Sequence, residues 1–256
     1  MNPIKNTIRR LIRLSGFDIV RLGKNNIGVD PFIDMQRFLK AYKEPVIIDV
    51  GANVGQSVDR FIEAFPMSSI HSFEPSPSTY EQLKTHCKDI PSVRTWNYGV
   101  GSRDTTLALQ ENDHPDMSSF LTPSHLSWGK IVKSTNVQVI TLDSFSREQK
   151  IEFIHILKSD TQGYDFEVFK GANQLMKENK IGLIYFEFIF SDMYKNSPHF
   201  HDVFRFLLEN NFALVTFYEP HFQNNLLSWT DVLFINRDYN RKRVERDAVA
   251  RDRLRY

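Results

Sequence analysis

Cysteine is almost absent from this chain: Cys87 is the only one in 256 residues, which excludes an intramolecular disulfide and a cysteine-rich zinc site. It falls in a helical run, where a packed thiol is expected rather than a nucleophile. An excess of either charge is also lacking. With 32 Lys and Arg against 31 Asp and Glu, the formal net charge of +1 gives no overall field to attract nucleic acid, and none is expected as a partner. No apolar run approaches a membrane span of about 18 residues, and the N-terminus has no apolar signal region, so a cytoplasmic protein is expected. Core-forming residues are plentiful. Hydrophobic residues make up 41% of the chain and 21 are Phe, enough for one large α/β domain.

Glycine is sparse at the most informative point. Val46-Ile47-Ile48-Asp49-Val50 reads as a buried strand that breaks into a tight loop at Gly51 and restarts as a helix after Gly55. A grip on a dinucleotide pyrophosphate uses three glycines, so that backbone N–H groups can approach the phosphates. Here only Gly51 and Gly55 are present, with Asn53 between them and Asp49 just before the turn. A second short strand, Ile70-His71-Ser72-Phe73, ends at Glu74-Pro75. The spacing of about twenty residues is how a βαβ unit sets a carboxylate on ribose hydroxyls. A carboxylate is acceptor-only, so Glu74 can hold two hydroxyl donors at once. An acid at the strand end suits a nucleoside ligand with an ammonium and no phosphate, which describes S-adenosylmethionine. Two rivals are a nicotinamide-dependent oxidoreductase or epimerase, disfavoured by the missing glycine, and a non-catalytic cofactor-binding scaffold.

Around this unit the chain alternates strands and helices, the pattern of a parallel sheet. Strands are predicted at 46–50, 70–74, 93–98, 153–158 and 181–187, with helices after the first two and near 199–210. Gly99-Val100-Gly101 breaks the third strand. Residues 105–110 and 137–142 alternate like a pair of short strands, and 212–218 and 232–236 read as a terminal hairpin pair. Residues 1–45 form a helical extension, in which Ile4, Ile8, Leu11 and Ile12 recur at helical spacing beside Arg9, Arg10 and Arg13. This helix is expected to dock on the main domain. The alternative is contact with a membrane surface, at the inner face, near a lipid-linked substrate. The charged tail 237–256 reads as a solvated helix or frayed end. Residues 111–136 lack clear periodicity and carry His114, Asp116, Ser118, Ser119, His125 and Trp128. Such a long connection is usually functional, and a lid over the acceptor is expected, with Ser118, Ser119, His125 and Trp128 as its substrate-facing candidates.

Four motifs in order now carry a resemblance. Asp-Val-Gly-Ala-Asn-x-Gly at 49–55, Phe-Glu-Pro-x-Pro at 73–77, Thr-Leu-Asp at 141–143 and Lys-x-Asp-x-Gln-Gly-Tyr-Asp-x-Glu-Val-x-Lys-Gly-Ala at 158–172 resemble the FkbM family of S-adenosylmethionine-dependent methyltransferases. The likeness runs from about Val46 to Asn236. It implies a class I methyltransferase fold, a Rossmann-like α/β domain over 46–236 with a seven-stranded, mostly parallel sheet whose last strand is antiparallel. It also implies methyl transfer, usually to oxygen, on a saccharide, glycoconjugate or natural product. Two positions depart from the family pattern: Ser159, usually aliphatic, and Asp165, more often Glu.

By that resemblance Asp49, Gly51, Asn53 and Gly55 shape the pocket for the methionine end. Glu74 takes the ribose hydroxyls, Pro75 and Ser76 flank the adenosine, and the stretch Asn97, Tyr98, Gly99 and Val100 lines the adenine. Lys158 and Asp160 end the fourth strand beside the cofactor loop, at the carboxyl edge where α/β ligands bind. Asp160 is the candidate base or orienter, Lys158 its charge partner, and Glu187 a second acid at the same edge. Asp160, Asp165 and Glu187 together could hold a divalent cation through oxygen ligands, but without a histidine pattern metal dependence is not favoured.

Overall fold

The computed structural model describes residues 27–253, together with Ile8, Ile12 and Leu14, which are helical. The rest of the helix expected over the first residues, and with it the membrane-surface reading, lies outside the described residues. No helix among the described residues is long and apolar enough to cross a membrane.

Seven strands form the main sheet: β1 (Val46–Val50), β2 (Ser69–Phe73), β3 (Val93–Trp96), β7 (Ile154–Ser159), β8 (Ile181–Ile189), β9 (Phe212–Gln223) and β10 (Leu226–Asn236). Their spatial order is β3-β2-β1-β7-β8-β10-β9. The pairs from β3 through β8 are parallel, and the last strand, β10, inserts antiparallel between β8 and β9. This is the expected architecture. The order reverses between β1 and β7, which makes the carboxyl ends of these two strands the switch point where open α/β sheets bind ligands.

The central strands are apolar on both faces because both faces are covered. In β1, Ile48 and Val50 pack on one side with Phe145, Val168, Phe169 and Leu207. These come from α4 (Leu142–Glu148), α5 (Asp165–Lys170) and α7 (Phe200–Glu209). Ile47 packs on the other side with Phe32, Met35, Phe38 and Phe61, from α1 (Pro31–Leu39) and α2 (Gln56–Ala64). The N-terminal extension is therefore no appendage from Pro31 onward, because its apolar stripe closes this face of the core. Asp30 starts α1 by accepting the N–H groups of Phe32 and Ile33. The helix α3 (Pro77–Cys87) starts at its Ser76 cap and buries Leu83 and Cys87 against Ala52 and Val58. Two short helices, α5 and α6 (Asn173–Lys177), occupy the stretch between β7 and β8, where no helix was expected.

A second, three-stranded sheet forms beside the first, in the order β4-β6-β5. It consists of β4 (Gly99–Val100), β5 (Thr105–Asn112) and β6 (Ile131–Ile140). Gly99-Val100 thus forms a strand parallel to β6 and does not merely break β3. Because β5 and β6 are longer than expected, the connection shrinks to 113–130. It folds into a flap with a 3-10 turn at Pro115–Met117, paired to Gln110 through Ser119 and to Tyr194 through Pro123.

The terminal helix α8 (Arg237–Arg253) is docked at its start. Tyr239 is buried, donates its hydroxyl to the Phe38 carbonyl at 2.9 Å and stacks on Phe153 and Tyr42. Beyond it Arg243 and Arg246 cover the rings of Phe38 and Tyr42. Tyr239→Ala is therefore expected to cost about 3–5 kcal/mol of unfolding free energy. Removing residues 241–256 is expected to cost about 1 kcal/mol or less. Urea midpoints of the two variants compare them directly, and equal losses would place the tail within the core.

Candidate active site

The loop after β1 is built on close approach. The N–H groups of Gly51 and Ala52 both donate to the Phe73 carbonyl, which turns the chain sharply across the end of β2. Gly51 adopts φ +74°, and a Cβ there would lie 1.9 Å from the Asp160 carbonyl oxygen, so only glycine lets the ends of β1 and β7 meet. Asn53 holds a left-handed φ of +48°, and Gly55 is the N-cap of α2.

Beneath this loop lies a buried ion pair. Asp49 is fully buried, accepts the Ser57 hydroxyl at 2.7 Å and faces Lys158 Nζ at 3.1 Å. The same ammonium donates to the Gly51 carbonyl at 2.9 Å and stands 3.8 Å from the Asp160 carboxylate. Burial alone would lower the Lys158 pKa, but Asp49 and Asp160 outweigh it and hold the pKa above its ordinary value.

Glu74 ends β2 with its carboxyl clamped by the backbone. Asn53 N–H donates to Oε2 at 3.1 Å and Ser76 N–H to Oε1 at 2.9 Å. Burial pushes its pKa up to about 7, against the two N–H donors and the Lys158 charge, which pull it down. Asn97 carries its amide to the carbonyls of Glu74 and Pro75 at 2.8 and 3.1 Å, fixing this turn from behind. The Ser76 hydroxyl donates to Glu111, a buried carboxylate on β5 that also takes the Thr135 hydroxyl.

Two joined cavities open at this edge, of about 280 and 300 Å³. Gly51, Asn53, Asp116, Asp160 and Glu187 line both and mark their junction. The first runs past Glu74, Pro75, Tyr98, Gly99 and Val100 and is walled by the flap through Ser118, Ser119 and Trp128. The second lies between α1, α2 and the strand ends and includes Arg60, Lys158, Tyr185 and Asp231. Two buried polar atoms on the cavity wall, Asn53 Oδ1 and Thr161 Oγ1, have no hydrogen-bond partner among the described residues. Together with the close backbone approach at Gly51, they fit a polar, elongated cofactor lying across the junction.

The acids at the junction are organised by Gln162. Its amide donates to Asp160 Oδ1 at 3.3 Å and to Glu187 Oε1 at 3.2 Å, and its Oε1 is 3.0 Å from the Tyr194 hydroxyl. Burial raises the Glu187 carboxyl well above the usual range, and Asp160 and Asp231 add to the shift. Asp165 turns away from both cavities. It accepts the Ser159 hydroxyl and the Thr161 N–H, and burial pushes its pKa up to about 6. The three-acid cation site left open by the sequence does not form, and among the described residues no such group of three metal-binding side chains exists.

Of the residues singled out from sequence, Gly51, Asn53, Glu74, Pro75, Gly99, Val100, Asp160, Glu187, Ser118, Ser119 and Trp128 line the first cavity, and Lys158 lines the second. Asp49, Gly55, Ser76 and Asn97 line neither cavity, because their polar groups hold the loop and turn. His125 is exposed on the flap and lines neither. Gln162 and Thr161 lie inside the motif at 158–172 but had no role assigned from sequence, whereas Tyr98 falls in the stretch expected to line the adenine. Arg60 and Trp229 carried no local signal, since only the fold brings α2 and β10 to this edge.

Lys158→Met leaves Asp49 buried and uncompensated, and a loss of about 3–5 kcal/mol in stability is expected. The double variant Asp49→Asn with Lys158→Met should recover part of that loss. Denaturant unfolding of the two singles and the double tests it, and simple additivity would show that the pair is not coupled.

The chain is 23% identical over 163 residues to 2-O-methyltransferase NoeI of Sinorhizobium fredii, covering 59% of this chain and 66% of that protein. It is 24% identical over 145 residues to Methyltransferase 1 of Beauveria bassiana, covering 50% of this chain and 58% of the relative. The chain therefore spans about three fifths of the length of these curated relatives. Among solved structures it is similar to an rRNA methylase from Streptococcus thermophilus, with a TM-score of 0.45 and 14% identity over 81% of this chain and 96% of the other. The Methyltransferase FkbM domain matches residues 49–214, from the buried acid of β1 into β9. The chain belongs to the FkbM methyltransferase family.

Proposed function

We propose that this chain is an S-adenosylmethionine-dependent O-methyltransferase acting on a hydroxyl of a saccharide, glycoconjugate or natural product. The observation that carries the reading is Glu74: a clamped carboxyl at the end of β2, on the wall of a cavity that meets an acid pair at the sheet's switch point. Each Glu74 oxygen takes one backbone N–H and keeps acceptor capacity for a ribose hydroxyl. Tyr98, Gly99 and Val100 supply the wall for the base. Asn53 Oδ1 offers an acceptor to the ammonium of the amino-acid end. Lys158 is buried against Asp49 and Gly51, whereas Arg60, which lies over the Phe32 ring and 3.6 Å from Asp30 at a half-exposed position, can turn to the cofactor carboxylate and is assigned to it.

When bound, the cofactor supplies a methyl group on positively charged sulfur. This chain's own part is to align the acceptor and receive its proton. Asp160 stands at the junction of the cavities and is assigned the proton. Gln162 fixes the carboxylate's orientation. Glu187, whose raised pKa favours the protonated form, lets two acids share one amide without two adjacent charges. The flap roofs the first cavity and keeps water from the junction.

Calorimetric titration with S-adenosylhomocysteine should give tight binding, with NAD at least about tenfold weaker; the reverse order would end the reading. Glu74→Ala is expected to cost about 1–3 kcal/mol of that affinity. The Glu74 proton must leave before the carboxylate can accept two hydroxyls, so wild-type affinity should fall as pH drops below about 7 and level off above it. Glu74→Gln should flatten that dependence.

Arg60→Leu should weaken S-adenosylhomocysteine about tenfold and leave 5′-methylthioadenosine, which lacks the amino-acid end, unaffected. Equal losses for both ligands would remove Arg60 from the carboxylate site. With an acceptor that turns over, Asp160→Asn is expected to lower kcat by about two to four orders of magnitude while cofactor affinity changes little. Near wild-type turnover would move the proton to another residue.

A further inference from the structure

The two joined cavities differ in charge. The first is lined by four carboxyl groups, Glu74, Asp116, Asp160 and Glu187, and by no lysine, arginine or histidine. The cations of the site, Arg60 and Lys158, line only the second. The first cavity also carries an apolar wall that cofactor binding at Glu74 does not use. Met117, Ile189 and Met193 pack together with Trp229 against them, and Trp128 completes the lining from the flap.

The two tryptophans are held in place. Trp229 stacks on His221 with ring centroids 4.9 Å apart and 13° between planes. Trp128 meets Trp229 edge-to-face at 5.4 Å and 85°, and its carbonyl accepts the Asn112 amide at 2.8 Å. About half of the Trp128 surface, 51%, nevertheless remains exposed. Trp128 thus offers a fixed aromatic surface at the cavity wall on which an apolar face can pack.

We propose that Trp128 and Trp229 select the acceptor, and that the acceptor is an uncharged hydroxylated ring, a neutral pyranose unit, whose apolar face packs on Trp128. The C–H face of a pyranose suits an aromatic plane, and its hydroxyls suit the acid pair. An anionic unit such as a uronate would meet the Asp116 and Asp160 carboxylates, and the lining of that cavity holds no lysine, arginine or histidine to compensate. The inference rests on the O-methyltransferase reading and narrows its acceptor.

Tryptophan emission of the full chain, saturated with S-adenosylhomocysteine, reports on the proposal. Titration with a panel of neutral methyl pyranosides should give a saturable change for at least one member, and its uronate counterpart should bind at least tenfold more weakly. In Trp128→Leu pyranoside binding, read by calorimetry, should weaken at least tenfold while S-adenosylhomocysteine binding stays within twofold of wild type. Trp128→Phe, which keeps a flat ring, should retain most of the pyranoside affinity, read by calorimetry. Asp116→Asn should narrow the gap between pyranoside and uronate. Uronates binding as well as pyranosides, no pyranoside binding, or undiminished pyranoside binding by Trp128→Leu would each overturn the proposal. Failure of S-adenosylhomocysteine itself to bind would instead strike the methyltransferase reading.

Discussion

A single ammonium group organises the carboxyl edge of this domain. Lys158 reaches from β7 under the loop that follows β1, where it neutralises the buried Asp49 and ties down the Gly51 carbonyl. It also lies 3.8 Å from Asp160. A charge at that depth persists only because its partners surround it, and they in turn depend on it. The adjacent strands β1 and β7 are thus joined by side chains as well as by their ladder. The switch point becomes a rigid floor on which the cofactor loop and the acid pair take fixed relative positions.

The rest of the site is layered outward from that floor. Glu74 is held by two backbone donors and its turn by the Asn97 amide, so the carboxyl has little freedom left to lose when a ligand arrives. Gln162 does the same for Asp160 and Glu187, at a left-handed φ of +54°. The flap is attached to this same residue, since the Ser119 hydroxyl donates to the Gln162 carbonyl at 2.8 Å. Tyr194 bridges the two, its hydroxyl lying 3.1 Å from the Met117 carbonyl and 3.0 Å from Gln162 Oε1. Roof and acid pair are therefore parts of one hydrogen-bonded assembly.

Much of this was legible in the sequence for identifiable reasons. The buried strands announced themselves as apolar runs. The loop at Gly51 and the acid at Glu74 stood at a spacing that only a βαβ unit explains. The acids Asp160 and Glu187 lay at predicted strand ends, which a parallel sheet gathers at one edge. The rest depends on contacts distant in sequence. Asn97 and Ser76 look like pocket residues by position, but their polar groups are satisfied by the backbone of the Glu74 turn and by Glu111. Trp229 enters through an antiparallel strand that carries no motif. The flap looked aperiodic because its order comes from pairing with residues 193–195 rather than from its own pattern. Residues 31–39 lie far from every motif, yet their apolar stripe is core.

The bond between Ser159 and Asp165 has a consequence for how this sequence can vary. These are the two positions that depart from the resembled family pattern, and in the structure they are partners: the hydroxyl end of β7 donates to the acid that opens α5. A carboxylate one methylene shorter than glutamate finds a donor here that an aliphatic neighbour would not provide. The pair is thus expected to behave as an epistatic unit. Reverting either residue alone would leave a polar group stranded or crowded in a buried turn, whereas reverting both would exchange one internally consistent solution for another.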